Sequence, residues 1–142
     1  MIETYRGTVY PWHCDIFNHL NVQFYMAKFD EGAWQLFAQI GLTADYFKTE
    51  HKGIVAVEQH IYYHKELVAG DLVVIKSEIL EIRPKSIRFR HLLYNMLKDE
   101  LAAELESTGV HIDTISRKAC AFSPEVMAKL KVFTNTKEEK ES

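Results

Sequence analysis

Residues 21–41 run Asn-Val-Gln-Phe-Tyr-Met-Ala-Lys-Phe-Asp-Glu-Gly-Ala-Trp-Gln-Leu-Phe-Ala-Gln-Ile-Gly, and this stretch decides the fold class. Its apolar residues Val22, Met26, Phe29, Ala33, Leu36, Phe37 and Ile40 recur at steps of three and four, which is the spacing of one buried face on an α-helix. Asn21 has the side chain of an N-cap, and Gly41 has the backbone freedom of a C-terminal stop. The predicted helix makes about five turns at roughly 3.6 residues each, enough to cross a small domain.

The flanks change character. Upstream, residues 4–10 are β-rich by type, and Pro11 cannot donate to a ladder, so a first strand ends there. Downstream, a short helical stretch over 43–48 is followed by strands at 53–65, 72–82, 86–97 and 100–115, with a short last one at 117–122. Val68-Ala69-Gly70-Asp71, Arg83-Pro84-Lys85 and Lys98-Asp99 supply the turns between them. In the run from residue 86, Ile87, Phe89, His91 and Leu93 share one face opposite Arg88, Arg90, Leu92 and Tyr94. In the next run, Ala102, Glu104, Glu106 and Thr108 oppose Leu101, Ala103, Leu105 and Ser107, with Gly109 expected to mark a bulge. Pro124 opens a small terminal helix carrying Val126, Met127 and Leu130. Residues 1–133 are expected to form one domain, and the charged residues 134–142 a disordered tail. One strand, one long helix and then consecutive strands argue for an α+β fold in which an antiparallel meander curls on the helix. Such a sheet keeps open edges, so association of at least two copies is expected.

The composition sets the limits. A chain of 142 residues with 47% hydrophobic and 26% charged residues is one domain that buries a core without disulfides or metal. Seventeen basic against 20 acidic residues give a net charge of −3, which argues against nucleic acid as a partner. Cys14 and Cys120 are far apart and lack metal-ligand spacing, so no metal site is expected and the compartment is expected to be reducing and cytoplasmic. No apolar run approaches a membrane-spanning length, and the first residues show no basic region followed by an apolar stretch, so the start is expected to be intact.

No G-x-S-x-G, GxGxxG, P-loop, HExxH or EF-hand pattern occurs. The chemistry is concentrated in residues 11–21, where an acid, two histidines, two asparagines and a thiol surround Trp12 and Phe17 just before the helix. The first amides of a helix lack intrahelical acceptors and favour a developing oxyanion, while a nearby carboxylate can activate water or attack a carbonyl. Asp15 is the candidate carboxylate, although a loop aspartate also serves as an Asx-turn or capping group. His13 and Cys14 lack the spacing of a nucleophilic dyad.

The string Val9-Tyr10-Pro11-Trp12-His13-Cys14-Asp15-Ile16-Phe17-Asn18-His19-Leu20-Asn21, with Tyr25 and Phe29-Asp30-Glu31 behind it, resembles the opening of hotdog-fold acyl-CoA thioesterases of the 4-hydroxybenzoyl-CoA thioesterase type. Val68-Ala69-Gly70-Asp71, Lys85-Ser86-Ile87, Arg117-Lys118-Ala119 and Phe122-Ser123-Pro124 extend the resemblance over residues 5–125. It implies a curled antiparallel sheet wrapped around one long central helix, in a homodimer or homotetramer with inter-subunit active sites. It implies hydrolysis of a small or medium acyl-CoA to free CoA and a carboxylic acid, with coenzyme A as part of the substrate and no separate cofactor.

In that resemblance Asp15 is the catalytic group, as general base or nucleophile, and the amide near Val22 is the oxyanion donor. His19 and Asn21 position the substrate, and Arg83, Lys85, Arg117 and Lys118 are the matching candidates for holding CoA. Glu31 corresponds to a helical carboxylate used in another branch of hotdog thioesterases, but with Asp15 present it is expected to be solvated or at an interface. His60, Tyr62, Tyr63 and His64 lie on a strand and can line an acyl pocket. Tyr10, Trp12, Phe17, Phe24 and Trp34 would suit an aromatic or quaternary ammonium acyl group, with core packing as their plainer role. The alternatives are an acyl-ACP thioesterase and a non-catalytic acyl-CoA-binding hotdog protein. A hotdog dehydratase fits less well, because its histidine-centred helical site is not evident.

Overall fold

The long helix forms where the apolar spacing puts it. In the computed structural model, which describes residues 1–141 and side chains as far as residue 134, α1 spans Val22–Gln39. Asn21 caps it by accepting from the Gln23 N–H, and Gly41 ends it at a φ of +82°, a conformation that suits glycine. Its buried face carries Tyr25, Lys28, Phe29, Gly32, Leu36 and Phe37. Val22, expected on that face, is 57% exposed and lines an open cleft instead. Lys28 is buried because its ammonium donates to the Tyr5 hydroxyl at 3.0 Å and lies 5.2 Å from that ring's centroid.

The strands are β1 (Ile2–Thr8), β2 (Lys52–Tyr63), β3 (Leu72–Ile82), β4 (Ser86–Asn95), β5 (Glu100–Asp113) and β6 (Lys118–Ala119), with a short helix α2 (Ala44–Thr49) before β2. They form one antiparallel sheet in the order β1-β3-β4-β5-β2, with β6 added to β5. β1 ends before Pro11 because Tyr10 already caps a single 3-10 turn, Pro11–His13. The expected faces of β4 hold: Ile87, Phe89, His91 and Leu93 are all buried.

Two register shifts correct the expected pattern. The first bulge lies on β2, where the register slips between Ala56 and Glu58 opposite Gly109, and not on Gly109 itself. Gly109 pairs regularly with Ile87, and a Cβ there would stand 3.2 Å from the Ile54 side chain, so close packing explains the glycine. The second shift, between Leu93 and Tyr94, passes over Ala102 on β5. Ala102 and Ala103 are consequently both buried, which interrupts the expected alternation of β5.

At the end of the chain α3 spans Pro124–Glu141, longer than the small terminal helix expected there. Lysine and glutamate are good helix formers, which lets a charged sequence extend a helix begun by the apolar turn of Val126 and Leu130.

Two apolar clusters fill the space between α1 and the sheet. One gathers Tyr25, Phe29, Leu67, Ile75, Leu93 and Leu105, and the other gathers Leu36, Phe37, Ile40, Ile79, Phe89 and Leu130. Truncating a buried phenylalanine such as Phe29 to alanine costs about 3–5 kcal/mol, so this packing holds α1 in place. The loop before α1 is fastened to the turn before β3. Leu20 N–H donates to Leu67 O at 2.8 Å, Val9 N–H to Asp71 O at 2.8 Å and Gly70 N–H to Val9 O at 2.8 Å.

Candidate active site

The loop containing Asp15 is a small closed device. Asp15 N–H donates to His19 O, Asn18 N–H donates back to Asp15 O, and Cys14 bridges to Leu20. Asn18 takes a φ of 65°, a left-handed conformation that asparagine tolerates better than most residues. The Asp15 carboxylate accepts from the Phe17 N–H at 2.9 Å through Oδ1 and from the Asn21 side-chain amide at 3.1 Å through Oδ2. The Asn21 bond, then the Phe17 amide, hold the Asp15 carboxyl below the usual carboxylate range, so it is ionised at neutral pH.

Asn21 ties the carboxylate to the helix start. Its amide nitrogen serves Asp15 while its oxygen caps the Gln23 N–H at 3.2 Å. Phe24 N–H is taken by Asn21 O at 3.0 Å, whereas Val22, as the first helical residue, has no intrahelical acceptor for its N–H. Asp15 and Val22 line one open cleft of about 480 Å³ with Phe17, His19, Tyr25 and Tyr63. Asp15 and the first residue of the helix therefore line the same space, a pairing suited to acyl transfer to water.

The expected residues divide into two groups. Asp15, His19 and Val22 line the cleft, as do Tyr63 and His64 from β2 and the segment after it, and Asn21 reaches it through its bond to Asp15. His19 Nε2 lies 3.0 Å from Glu66 Oε2. Arg83, Lys85, Arg117 and Lys118 lie elsewhere. Lys85 O accepts from the His111 N–H, and Lys118 pairs with Asp113, which is the opposite end of β5 from Ala103, the partner of Tyr63. The eight residues from Ala103 to His111 correspond to about 27 Å along the strand. Within one chain, then, the four basic residues cluster together but away from Asp15.

Several expectations are corrected by burial. Trp12 and Phe17 are 69% and 71% exposed and so are not core, while Tyr10 stacks on Trp12 with centroids 4.6 Å apart. Trp34 is remote from the loop and packs edge-on against Phe47. Glu31 lines a separate depression with Thr4, Arg6 and Trp34. His60 and Tyr62 line the other face of β2, with Arg83 and Arg88.

Tyr25, Lys65 and Glu66 line the cleft and escaped the sequence reading. Burial, with Tyr63 and Glu66 nearby, pushes the Tyr25 hydroxyl up to about 12. The signal for Lys65 and Glu66 was their place just before the Val68–Asp71 turn, which receives the loop through Leu67. Among the described residues no cluster of histidine, cysteine and carboxylate side chains is suited to hold a metal ion. No helix among them is long and apolar enough to cross a membrane.

A curled antiparallel sheet on one long helix, with a carboxylate at the helix N-terminus, defines the hotdog class of thioester hydrolases. Comparison with known proteins agrees. The model of the thioesterase-like superfamily matches residues 9–130, and the chain belongs to that superfamily. The chain is 24% identical over 133 residues to betainyl-CoA thioesterase of Pseudomonas aeruginosa, covering 94% of this chain and 84% of that protein. It is 28% identical over 123 residues to the long-chain acyl-CoA thioesterase FadM of Escherichia coli, covering 84% of this chain and 89% of that protein. Its fold matches a Staphylococcus aureus protein solved in complex with CoA, with a TM-score of 0.87 and 20% identity over 93% of this chain and 84% of that one.

Proposed function

We propose that this protein hydrolyses small or medium acyl-CoA thioesters to free CoA and a carboxylic acid at the Asp15 cleft. The observation that carries the reading is the ionised Asp15 carboxylate, held by Phe17 and Asn21 beside the Val22 amide. Acting as a base, Asp15 takes a proton from water as the oxygen attacks the thioester carbonyl. The tetrahedral oxyanion is stabilised at the Val22 N–H, the C–S bond breaks, and the proton passes to the departing CoA thiolate. Acting as a nucleophile, Asp15 displaces the thiolate to form a mixed anhydride, which water then cleaves. Single turnover in oxygen-18 water that leaves label in the Asp15 carboxylate identifies a mixed anhydride cleaved at the aspartyl carbonyl, because the general-base route puts label only in the product acid.

The assembly belongs to the same proposal. β2 is a long edge strand with Val55, Val57, Tyr62 and Tyr63 exposed, the kind of edge that seeks a partner. Antiparallel pairing of β2 with a second copy would bring the partner's Arg83, Lys85, Arg117 and Lys118 toward this chain's Asp15, giving CoA a basic site that one chain lacks. A homodimer, or a homotetramer built from it, follows. The two cysteines are unpaired, in keeping with a cytoplasmic location.

Thiol release from a panel of acyl-CoAs, with wild type compared with Asp15→Asn, tests the reaction. Retention of full rate by the variant overturns the role of Asp15. Sedimentation velocity tests the assembly, and a fully active monomer would sink the shared site.

A further inference from the structure

Between α1 and β2, beyond the Asp15 cleft, lies a second, smaller cavity with lining residues of its own. Tyr63, Ile61, Gln59 and Ala56 of β2 pair with Ala103, Leu105, Ser107 and Gly109, the inward row of β5, so they form one continuous wall. On α1, Val22 and Tyr25 line the outer cleft, and Met26, Phe29, Asp30 and Phe37 line an inner cavity of about 120 Å³. His91 and Ser107 form part of its wall and are 0% and 3% exposed. His91 Nε2 and Ser107 Oγ have no hydrogen-bond partner among the described residues. Buried polar atoms are nearly always paired, and these two belong to residues that line one cavity, so a group with hydrogen-bonding capacity of its own would complete them.

The chain of contacts behind His91 sets what that group must offer. Thr4 Oγ1 donates to Ile75 O, Ser77 Oγ lies 2.7 Å from Thr4 Oγ1, and His91 Nδ1 is hydrogen-bonded to Ser77 Oγ. Either hydroxyl can donate along this relay and the His91 tautomer follows it, so His91 Nε2 is an acceptor when Nδ1 carries the proton and a donor when it does not. Burial lowers the His91 pKa to about 4, so the ring is neutral at pH 7. Phe29, Phe37 and Phe89 supply apolar wall, and Asp30 and Gln59 add a carboxylate and an amide to the lining.

Resting on the acyl-CoA reading above, we propose that this cavity is a recognition subsite for a hydroxyl on the distal part of the acyl chain. The hydroxyl, able both to donate and to accept, hydrogen-bonds His91 Nε2 and Ser107 Oγ. Phe29 lies seven residues beyond Val22, about 10 Å along the helix, which is the reach of a medium acyl chain and beyond that of an acetyl group. The subsite therefore selects medium acyl groups that carry their hydroxyl far from the thioester.

The test compares ω-hydroxydecanoyl-CoA with decanoyl-CoA as a ratio of kcat/KM within each protein, so that any loss of folded enzyme cancels. Wild type is expected to favour the hydroxylated substrate by tenfold or more, and Ser107→Ala and His91→Phe to bring the ratio close to one. A second arm follows the His91 imidazole nitrogens by NMR, with free ω-hydroxydecanoate expected to shift them and decanoate not. Turnover without preference, together with unmoved His91 resonances, overturns the subsite and leaves the thioesterase reading standing. It would mean that a buried water alone serves the two atoms. Absence of turnover with a hydroxy acid-specific shift retains the subsite and overturns the reaction.

Discussion

The open cleft at Asp15, the outer end, and the smaller cavity at His91, the inner end, both set along α1, are built on opposite terms. At the outer end the Asp15 carboxylate is bonded to its own loop and to the Asn21 cap, and the cleft is open to solvent. At the inner end His91 and Ser107 are buried, and each keeps an unpaired atom. A second buried histidine, His111, shows that burial does not itself leave atoms unpaired, because its ring is bonded to Tyr46 Oη and Cys120 O. The lesson is that the carboxylate of the outer cleft is held by exposed local ties, whereas the polar groups of the inner cavity are held by the core.

Four measurements can break or sharpen that contrast. The largest effect is expected at the outer end, where Asp15→Asn should lower kcat by about a hundredfold or more with the thermal midpoint little changed. A small kinetic effect would remove the outer end's claim to the chemistry.

The inner end should dominate the pH dependence of stability. His91 titrates near 4 when folded, against 6.5 for an unperturbed histidine. The unfolded chain therefore takes the proton first, and stability that is full above pH 6.5 is lost as pH falls toward 4. The loss amounts to about 3 kcal/mol at 1.36 kcal/mol per pKa unit. Urea titrations across that window should show this slope in wild type and a shallower one in His91→Phe. Burial lowers the His111 pKa as well, so part of the slope should remain in that variant.

Asn21→Ala joins the two concerns on a smaller scale. Removing the cap should cost about 1 kcal/mol of stability. Losing the Asp15 partner should also move the acid limb of the rate profile to higher pH, since the Asn21 bond is the main cause of the lowered carboxyl. An unchanged acid limb would show that Phe17 holds the carboxylate alone. Smallest of all, Glu66→Gln removes an exposed partner of His19 and should alter stability by no more than about 0.5 kcal/mol. A larger change would mean that the outer end is less solvent-dominated than its geometry implies.

Much of this was legible in residue order. The spacing from Met26 to Ile40, the cap at Asn21, the stop at Gly41 and the faces of β4 depend on neighbours a few residues apart, and local rules describe them. Val22 escaped because helical spacing marks a stripe without saying where the sheet ends. The bulge opposite Gly109 escaped because a glycine kept for space looks like one kept for a bend. His91 was placed on the correct face from alternation alone, but its unpaired nitrogen depends on Thr4, Ser77 and Ser107, which lie far apart in sequence. That the four basic residues share one end of the sheet, away from Asp15 within one chain, escaped residue order, because the direction of β5 from Ala103 to Asp113 fixes which end each group occupies.

By itself the sequence determined the class of fold, the helix and its cap, and the loop that carries the carboxylate, because each rests on periodicity or on bonds spanning a few residues. Tertiary structure alone decided which end of the sheet faces Asp15, that a second cavity lies between α1 and β2, and that His91 and Ser107 on adjacent strands line it. Those facts rest on strand register and long-range packing, in which residues distant along the chain become neighbours and local propensity carries no information.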